Sequence, residues 1–388
     1  MIEVVVERVV YGGEGLARHG GRVVLIPLTA PGDRALVELT EERSDFARAR
    51  LVRLLDASPD RRDPICPYYG TCGGCQLQHL HYAAQHRIKR DIVRESLVRL
   101  GGLSWPGEIP LIPSEEFRYR LRAQVKVRVS EGRVEIGYYR PASHEMCAIL
   151  ECPLLSPELN AALERLRWEA PERFANVRAL DLAQGEDGRV VVHPIGEPVA
   201  VSWSVRGITY AFDARTFFQA NRFLLAELLG LVTEGEEGER ALDLFCGVGF
   251  FAVPLARRFA EVIGVESDPR AVRFARLNAR AHGVRNCRFV NERVHTWLVR
   301  EGGRLRPVDL VVLDPPRGGL SRALICALAR LMPERITYVS CNPATLARDL
   351  KWLLARGYVI SSIVALDLFP QTFHVETIVK LRRASELP

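Results

Sequence analysis

Cys341 lies at a position where a thiol could act as a nucleophile. It follows the apolar run ITYVS, and Asn342, Pro343 and a helical pattern come directly after it. A thiolate at the tip of a strand and near the N-terminus of a helix is favoured by the field of that helix. The usual alternative for a single cysteine is a buried, unreactive side chain. The abrupt turn after the strand favours a nucleophile here.

A glycine turn follows an apolar strand in the sequence ALDLFCGVGFF, which includes Gly247. Glycine lets the backbone approach a ligand closely, and the ligand should lie at the carboxyl ends of the strands. Glu266 ends the next strand, VIGVE, and an acidic residue about 20 residues after such a turn can bind a ribose diol. The two features predict a nucleotide-like cofactor. The alternative is a carboxylate that caps the helix starting at Pro269.

Three cysteines lie close together in CPYYGTCGGCQLQHL: Cys66, Cys72 and Cys75. With a distant fourth cysteine they would form a four-thiolate site for zinc or for an iron–sulfur cluster. Spacing alone leaves both metals open, and unligated thiols are the third possibility. The chain has nine cysteines, an odd number, and no signal peptide pattern, so disulfides are not their expected use.

Length and composition indicate an ordinary globular protein. The chain has 388 residues, 48% hydrophobic and 26% charged, which suggests two or three domains and excludes a disordered or collagen-like chain. The net charge of +6 is compatible with a nucleic-acid partner but does not require one. No apolar run approaches the roughly 20 residues of a membrane-spanning helix, and Glu3 and Glu7 replace a basic leader. We therefore expect a cytoplasmic protein without a membrane partner.

The candidate residues must be positioned by three kinds of element. Residues 1–56 read as short β runs separated by glycine turns, which predicts a small β-barrel. A polar linker follows, and from about residue 201 strands alternate with helices, which predicts a parallel, doubly wound sheet. The last two strands, joined by FPQTF, suggest an antiparallel finish. Between Tyr82 and Leu100 the apolar spacing predicts a helix.

A basic strand is predicted in FRYRLRAQVKVRV, where apolar and mostly basic residues alternate from Phe117 to Val129. Arg120 and Arg122 lie on its basic face. Two interpretations are open. The strand is either a solvated edge strand or a surface that follows a phosphate backbone, to which the aromatic residues of GYYRPASH would add stacking.

Together the motifs resemble a known family. The start of the chain, VVYGGEGLARHGGRVVLIPLTAPGDRALVEL, resembles a TRAM domain, an OB-like RNA-binding module. The form D-x-F-x-G-x-G, followed by DPP at the end of the fourth strand, looks like a class I S-adenosylmethionine (SAM) methyltransferase, with NAD the lesser option. TFFQAN, DLFCGVGFF, DPPRGGL, SCNPATLARDL and FPQTFHVETIV resemble the RNA uracil-5-methyltransferases that make 5-methyluridine.

The resemblance implies a covalent mechanism. C5 of uracil is a poor nucleophile, so a thiolate first adds at C6 and raises the electron density at C5. Cys341 matches the family nucleophile, and Glu376 matches the base that removes the C5 proton after methyl transfer. The residues that match the family's contacts to SAM are Gln219, Phe245, Glu266 and Asp314. The glycine turn adds Gly247 to this set.

The cysteines also take a role from the resemblance. CPYYGTCGGCQLQH and ASHEMCAILECPLL look like the [4Fe-4S] site of part of the family. The implied ligands are Cys66, Cys72, Cys75 and Cys152, with Cys147 the runner-up for the fourth position. The cluster would support the RNA-facing domain, because methylation includes no electron transfer.

The implied architecture is α/β with three domains: a TRAM-like, OB-like barrel at 1–56, a central α+β domain with the cluster at 57–200, and a class I, Rossmann-like SAM methyltransferase domain at 201–388. The partner is ribosomal or transfer RNA, and no protein partner is evident. Two other functions are open. A non-catalytic iron–sulfur RNA-binding protein would leave Cys341 and Glu376 unexplained. A methyltransferase for another RNA base is disfavoured by Arg317, which follows DPP where such enzymes carry an aromatic residue or Cys.

Overall fold

The computed structural model of the protein describes residues 1–196 and 199–384. Two residues near the end of the predicted central domain, and the last four of the predicted methyltransferase domain, therefore lie outside the described residues. Among the helices that are described, none combines the length and the apolar character needed to span a membrane.

The N-terminal strands close into a small barrel in the order β1-β2-β3-β5-β4. Alternate residues, such as Val4 and Val6 on the first strand, point into its core. The closed barrel agrees with the OB-like module predicted from the glycine-punctuated sequence. Its strands are β1 (Ile2–Val9), β2 (Glu14–His19), β3 (Arg22–Pro27), β4 (Arg34–Glu42) and β5 (Phe46–Asp56).

A helix and a short strand then cross to the C-terminal part of the molecule. Helix α1 (Tyr82–Ser96) continues as one π-helical turn, Leu97–Gly101, and is followed by strand β6 (Leu111–Ile112). Val93 and Leu97 are buried in the same core as the C-terminal helices, and β6 pairs in parallel with a strand near the end of the chain. Part of the range 57–200 thus contributes to the C-terminal core.

The central region is an antiparallel sheet of order β11-β10-β7-β8-β9 with one helix packed on it. Ser156 caps that helix, because its hydroxyl accepts a hydrogen bond from the Leu159 amide at 3.2 Å. The elements are β7 (Arg122–Ser130), β8 (Arg133–Tyr139), β9 (Met146–Ala148), α2 (Pro157–Arg167), β10 (Ala179–Gln184) and β11 (Val190–His193).

Strand β7 differs from the basic strand that the sequence predicts. It begins at Arg122 and not at Phe117, because Arg118 has a left-handed φ of 55°. The Arg118 and Arg120 amides donate to the carbonyls of Pro153 and Leu154, at 2.8 and 2.9 Å. Because β7 lies between β8 and β10, it is a central strand and not a solvated edge.

The C-terminal region is an eight-stranded sheet of order β16-β15-β14-β17-β18-β20-β19-β6, flanked by helices. The first five strands are parallel, and β20 runs antiparallel between β18 and β19. This confirms the doubly wound fold with an antiparallel finish. A separate hairpin precedes the sheet and consists of β12 (Val201–Val205) and β13 (Ile208–Phe212). Besides β6, the sheet contains β14 (Gly238–Leu244), β15 (Phe259–Glu266), β16 (Cys287–Asn291), β17 (Leu310–Leu313), β18 (Arg335–Ser340), β19 (Tyr358–Leu366) and β20 (Glu376–Arg383).

One helix of this region precedes the first parallel strand, and the others lie between successive strands of the sheet, as a doubly wound sheet requires. They are α3 (Leu225–Thr233), α4 (Ala252–Leu255), α5 (Pro269–Ala281), α6 (Val294–Glu301), α7 (Arg322–Leu331) and α8 (Pro343–Leu354). The carboxyl ends of β14, β15, β17 and β18 meet at one edge of the sheet. That edge carries the residues that the sequence singles out.

Candidate functional site

Cys341 and Glu376 are brought together by two neighbouring strands. Cys341 follows the last residue of β18, and Glu376 is the first residue of β20. The strands pair antiparallel with Ser340 opposite Thr377, so the end of one lies beside the start of the other. The Glu376 side chain is buried, whereas Cys341 is partly exposed. The sequence-predicted nucleophile and base therefore share one corner of the site.

The thiol of Cys341 is not stabilised as a thiolate by the following helix. Burial, and after it the charges on Glu376 and Asp314, raise its pKa to about 11, although Arg317 acts to lower it. The first free amide of α8, from Ala344, donates to the Asn342 side chain at 3.0 Å. The helix terminus is thus capped by its own asparagine, and carboxylates dominate around the sulfur. The expectation that the helix favours the thiolate is corrected accordingly.

Glu376 and Asp314 form a coupled acidic pair. Burial raises the pKa of Glu376 well above its ordinary range, and the charge on Asp314 adds to the shift. The pKa of Asp314 is also raised, by desolvation and by the charge on Glu266. Gln219, in the loop before α3, donates from Nε2 to Asp314 Oδ2 at 3.4 Å. The structure thus joins Gln219 to the site at the end of β17.

Three carboxyl groups stand at the ends of three adjacent strands: Asp243 on β14, Glu266 on β15, and Asp314 after β17. Asp243 is fully buried, and no described residue gives either of its oxygens a full hydrogen bond. Burial, and after it the charge on Asp314, raise its pKa to about 8. A pocket of this kind favours a cationic ligand, because a positive charge stabilises the ionised carboxylates. Sequence reasoning missed Asp243, although it opens the DLF motif.

The glycine turn has the strained backbone of a ligand loop. Phe245 has a φ of 69°, which is unusual for a side chain of its size, and Gly247 follows with a φ of 52°. The Gly247 amide donates to Glu266 Oε2 at 3.2 Å. The other carboxylate oxygen accepts from the amides of Ser267 and Asp268, at 2.6 and 2.8 Å. Glu266 therefore fixes the turn and presents its carboxylate at the cofactor edge.

Two residues that the sequence reasoning did not single out as part of the site lie beside the nucleophile. His374 Nε2 is 3.3 Å from an Arg317 guanidinium nitrogen, and burial together with this charge lowers the pKa of His374 to about 3. Tyr11, from the barrel, packs edge-on against Phe373 with ring centroids 5.1 Å apart, and the charges of Arg317 and Cys341 influence its pKa. The only sign of this in the sequence is that His374 lies close to Glu376 in HVET; nothing in the sequence indicates Tyr11.

Four of the predicted metal ligands line one cavity of about 100 Å³: Cys66, Cys72, Cys75 and Cys152. Burial, together with the charges of neighbouring thiols, raises the pKa of Cys72 to about 11 and of Cys75 to about 12. Cys147 does not line the cavity, although its charge influences Cys66 and Cys72. Over residues 1–196 and 199–384, no three potential ligands are arranged as a formed metal site.

The cavity also contains donors without acceptors. Arg120 and Tyr138 line it, and within the described chain neither the buried Nε of Arg120 nor the Tyr138 hydroxyl has a hydrogen-bond partner. Buried donors of this kind normally find an acceptor. Four thiols and two unused donors, one of them cationic, fit a group that is held by thiolates and carries negative charge.

Several arginines of the predicted basic strand are engaged by other parts of the chain. Arg120 faces the cysteine cavity, and Arg122 donates to the carbonyls of Ala214 and Phe218, at 2.9 and 3.4 Å. Burial lowers the pKa of Arg122 to about 10. Further along, Arg128 pairs with Glu135 across the sheet. Arg120 and Arg122 are thus engaged within the chain and only partly exposed, and their phosphate-following role stays a prediction.

Comparison with known proteins finds similarity to RNA methyltransferases along nearly the whole chain. Residues 191–384 match the family model tRNA (Uracil-5-)-methyltransferase, and residues 1–52 match the TRAM domain. Among curated relatives, the 23S rRNA (uracil(1939)-C(5))-methyltransferase RlmD of Pectobacterium atrosepticum is 35% identical over 94% of this chain and 90% of its own. An uncharacterized RNA methyltransferase of Aquifex aeolicus is 34% identical over 98% of both chains.

A solved structure has the same overall fold. The Pyrococcus abyssi tRNA (uracil-54, C5)-methyltransferase, in complex with S-adenosyl-L-homocysteine, is 29% identical and covers 98% of this chain and 100% of its own, with a TM-score of 0.74. Its similarity extends across the barrel, the central sheet and the C-terminal sheet. The chain therefore belongs to the family of SAM-dependent RNA uracil-5-methyltransferases.

Proposed function

We propose that this chain methylates C5 of a uridine in RNA through a covalent bond between Cys341 and C6 of the base. The observation that carries the proposal is the pairing of Cys341 and Glu376 at the end of β18 and the start of β20. A thiol and a buried carboxyl group at one corner supply the nucleophile and the base that this reaction needs. The acidic edge at Asp243, Glu266 and Asp314 supports a cationic cofactor.

The residues divide the reaction between them. Cys341 is partly exposed and passes its proton to solvent. Its sulfur then bonds to C6, so that the electron pair of the C5–C6 double bond moves toward O4 and C5 becomes nucleophilic. SAM, when bound, supplies the electrophilic methyl group. Once C5 carries that group, Glu376 accepts the C5 proton. The released electron pair restores the C5–C6 double bond and expels the sulfur of Cys341.

Trapping with 5-fluorouridine tests the covalent step, because fluorine cannot leave as a cation and the enzyme stays bonded to the RNA. The wild type, given RNA with 5-fluorouridine at the target, should form an adduct that survives denaturing electrophoresis and maps to Cys341. Cys341→Ala should form none, and its methylation of ordinary RNA should fall on the order of 10⁴-fold or more. Cys326→Ala, a partly exposed cysteine on α7, is the matched control. An adduct that persists in Cys341→Ala would exclude this nucleophile.

We propose large-subunit ribosomal RNA as the substrate, because several curated relatives that match over nearly the full chain carry that activity in their names. The second candidate is transfer RNA, because the similar Pyrococcus abyssi structure is named as a tRNA methyltransferase. Unmodified transcripts of 23S rRNA and of tRNA, offered separately with labelled SAM, distinguish the two. Either substrate would place the protein in the cytoplasm.

We also propose that Cys66, Cys72, Cys75 and Cys152 hold a [4Fe-4S] cluster with a structural role. The shared cavity and the two unused donors, Arg120 and Tyr138, support a thiolate-held group with negative charge. Zinc held by the same thiols is the alternative, and metal analysis of anaerobically purified protein decides between them.

The proposed domain ranges are 1–56 for the barrel, 57–200 for the cysteine-bearing region and 201–388 for the methyltransferase domain. Helix α1 and strand β6 pack on the C-terminal sheet, although they belong to the second range by sequence. We therefore propose that the second and third domains fold as one unit. Limited proteolysis should cut near residue 57 before it cuts near residue 200.

A further inference from the structure

The loop between β19 and β20, residues 367–375, leads directly to Glu376 and is held from outside its own sheet. Lys89 of α1 donates to the Phe369 carbonyl at 3.0 Å and pairs with the buried Asp367. The Tyr119 hydroxyl donates to the Pro370 carbonyl at 3.2 Å. The loop is therefore held in place by segments far from it in sequence.

Gln371 is the most heavily bonded residue of this loop. It is fully buried and has a φ of 70°, in the left-handed region that glutamine rarely adopts. Its amide donates to Gln85 Oε1 at 3.0 Å, and its side-chain oxygen accepts from Gln85 and from Arg62, at 2.9 and 3.1 Å. Its side-chain nitrogen donates to Glu116 at 3.1 Å. Such a conformation persists only where the surroundings over-determine it.

The Gln371 carbonyl is bound by the segment that carries the cysteines. It accepts from the amides of Gln76 and Leu77, at 3.0 and 2.9 Å, and these two residues directly follow Cys75. Gln85 closes the arrangement, because its side-chain nitrogen also donates to the Leu77 carbonyl at 3.1 Å. A continuous set of hydrogen bonds thus runs from the cysteine segment to Gln371.

The position of Glu376 depends on this anchored loop. Only four residues separate Gln371 from Glu376, and they include His374, which faces Arg317 beside the nucleophile. A displacement of about 1 Å in a catalytic group can reduce a rate by about 10²-fold. A change at Gln371 should therefore affect the step that uses Glu376 more than the step that uses Cys341.

We propose that Gln371 is a positioning residue for Glu376 and that it couples the segment after Cys75 to the base. The proposal rests on the function proposed for Cys341 and Glu376. It predicts a selective defect in the last step, the release of methylated RNA from the thiol, while addition of the thiol to C6 is spared.

The test compares two rates in Gln371→Gly and Gln371→Ala. Glycine removes the side-chain bonds without strain at a φ of 70°, so it serves where alanine fails to fold. With ordinary 23S rRNA or tRNA transcript, release should slow by about 10- to 100-fold, and a methylated adduct should accumulate on denaturing gels. With 5-fluorouridine RNA, the trapping rate should stay within about threefold of wild type. SAM affinity should not change.

The control is Asn286→Ala, which lies at a distance from the loop. The Asn286 side-chain nitrogen donates to two backbone carbonyls, of Ala256 and Phe259, as the side-chain nitrogen of Gln85 donates to those of Leu77 and Leu80. The control variant should show neither defect. If both rates of the Gln371 variants fall by the same factor, or if neither falls, the positioning role is refuted. If the wild type itself forms no adduct at Cys341, the proposed function fails instead, so the two failures are distinguishable.

A second arm tests the connection to the cysteine segment. Gln85→Ala removes bonds to both Leu77 and Gln371 and should reproduce the slow release. Because the two side chains act through shared bonds, Gln85→Ala combined with Gln371→Gly should be no slower than the slower single variant. Independent, multiplying defects would show that Gln371 does not act through this connection.

Discussion

Cys341 and the four cysteines of the cavity all have raised pKa values, but the polar groups beside them differ. Around Cys341, after burial, the largest contributions come from the carboxyl groups of Glu376 and Asp314. Around the four-cysteine cavity, the unused polar groups are donors, the Arg120 guanidinium and the Tyr138 hydroxyl. Burial alone therefore does not distinguish a reactive thiol from a ligand. The two sites differ in their other polar groups, which are carboxyl groups beside Cys341 and donors without partners beside the cavity.

The difference indicates which ligand each site accepts. Carboxyl groups at Asp243, Glu266 and Asp314 repel one another when ionised, so a cation relieves the repulsion at the cofactor edge. In the cysteine cavity, four thiolates together would repel one another unless metal ions bind them, and Arg120 would stabilise the remaining negative charge. The carboxyl groups thus favour a cationic ligand at the cofactor edge, whereas the proposed cluster would be a negatively charged group in the cysteine cavity.

The strongest test of this comparison separates the metal from the nucleophile. Anaerobically purified wild type should contain about four irons per chain and absorb in the visible range. Cys152→Ser should lose the iron, because Cys152 lines the cavity, whereas Cys147→Ser should keep it. Cys341→Ala should keep it too. Iron that is retained in Cys152→Ser but lost in Cys147→Ser would make Cys147 the fourth ligand. Zinc without iron in the wild type would show that the site holds zinc and not a cluster.

The pH dependence of release should show the raised pKa of Glu376. A base works only when deprotonated, so a raised pKa moves the loss of activity to higher pH. Release from a preformed adduct should therefore rise by up to about tenfold per pH unit in a range where an ordinary carboxylate, with a pKa near 4.3, already gives a constant rate. A profile that is flat above about pH 5.5 would contradict the shift. Asp314→Asn should move the profile to lower pH, because it removes the charge that raises the pKa of Glu376.

Binding of SAM should release protons from the acidic edge. Asp243 has a pKa of about 8 in the free protein and is mostly protonated at pH 7. A cationic ligand favours its ionised form, so affinity should increase as the pH rises toward 8. Asp243→Asn should bind SAM about tenfold more weakly, equivalent to about 1.4 kcal/mol, with less proton release in calorimetry. Asp181→Asn in the central sheet is the control, and equal proton release in both variants would exclude Asp243.

The smallest effect on RNA binding is expected at Arg122. Its guanidinium is engaged with the Ala214 and Phe218 carbonyls, so Arg122→Met should leave the salt dependence of RNA binding unchanged. It should instead lower the free energy of unfolding by about 1–3 kcal/mol, because buried acceptors lose their donors. The loss of one phosphate contact reduces the slope of log K against log salt concentration by about 0.9. A decrease of that size in Arg122→Met would show that Arg122 contacts RNA.

The sequence predicted the parts of the site that depend on local chain geometry. Cys341, the glycine turn and Glu266 each directly follow or end a strand, and a doubly wound sheet brings such positions to one edge. The covering of Arg120 and Arg122 could not be predicted, because alternation shows which residues share a face but not what packs on it. Gln371 escaped notice for the same reason: its partners lie about 290 residues earlier. Asp243 was visible in its motif, but its lack of hydrogen-bond partners was not.

The pairing of β6 with β19 has a consequence for how the chain folds during synthesis. Leu111 leaves the ribosome about 250 residues before its partner Ala365, and the apolar face of α1 emerges equally early, before Leu346 and Leu350 exist to cover it. Contacts this distant in sequence form slowly, because a long loop must close first. The nascent chain therefore exposes Val93 and Leu97 until translation is almost complete. A partly synthesised chain that exposes apolar side chains for so long is prone to aggregation.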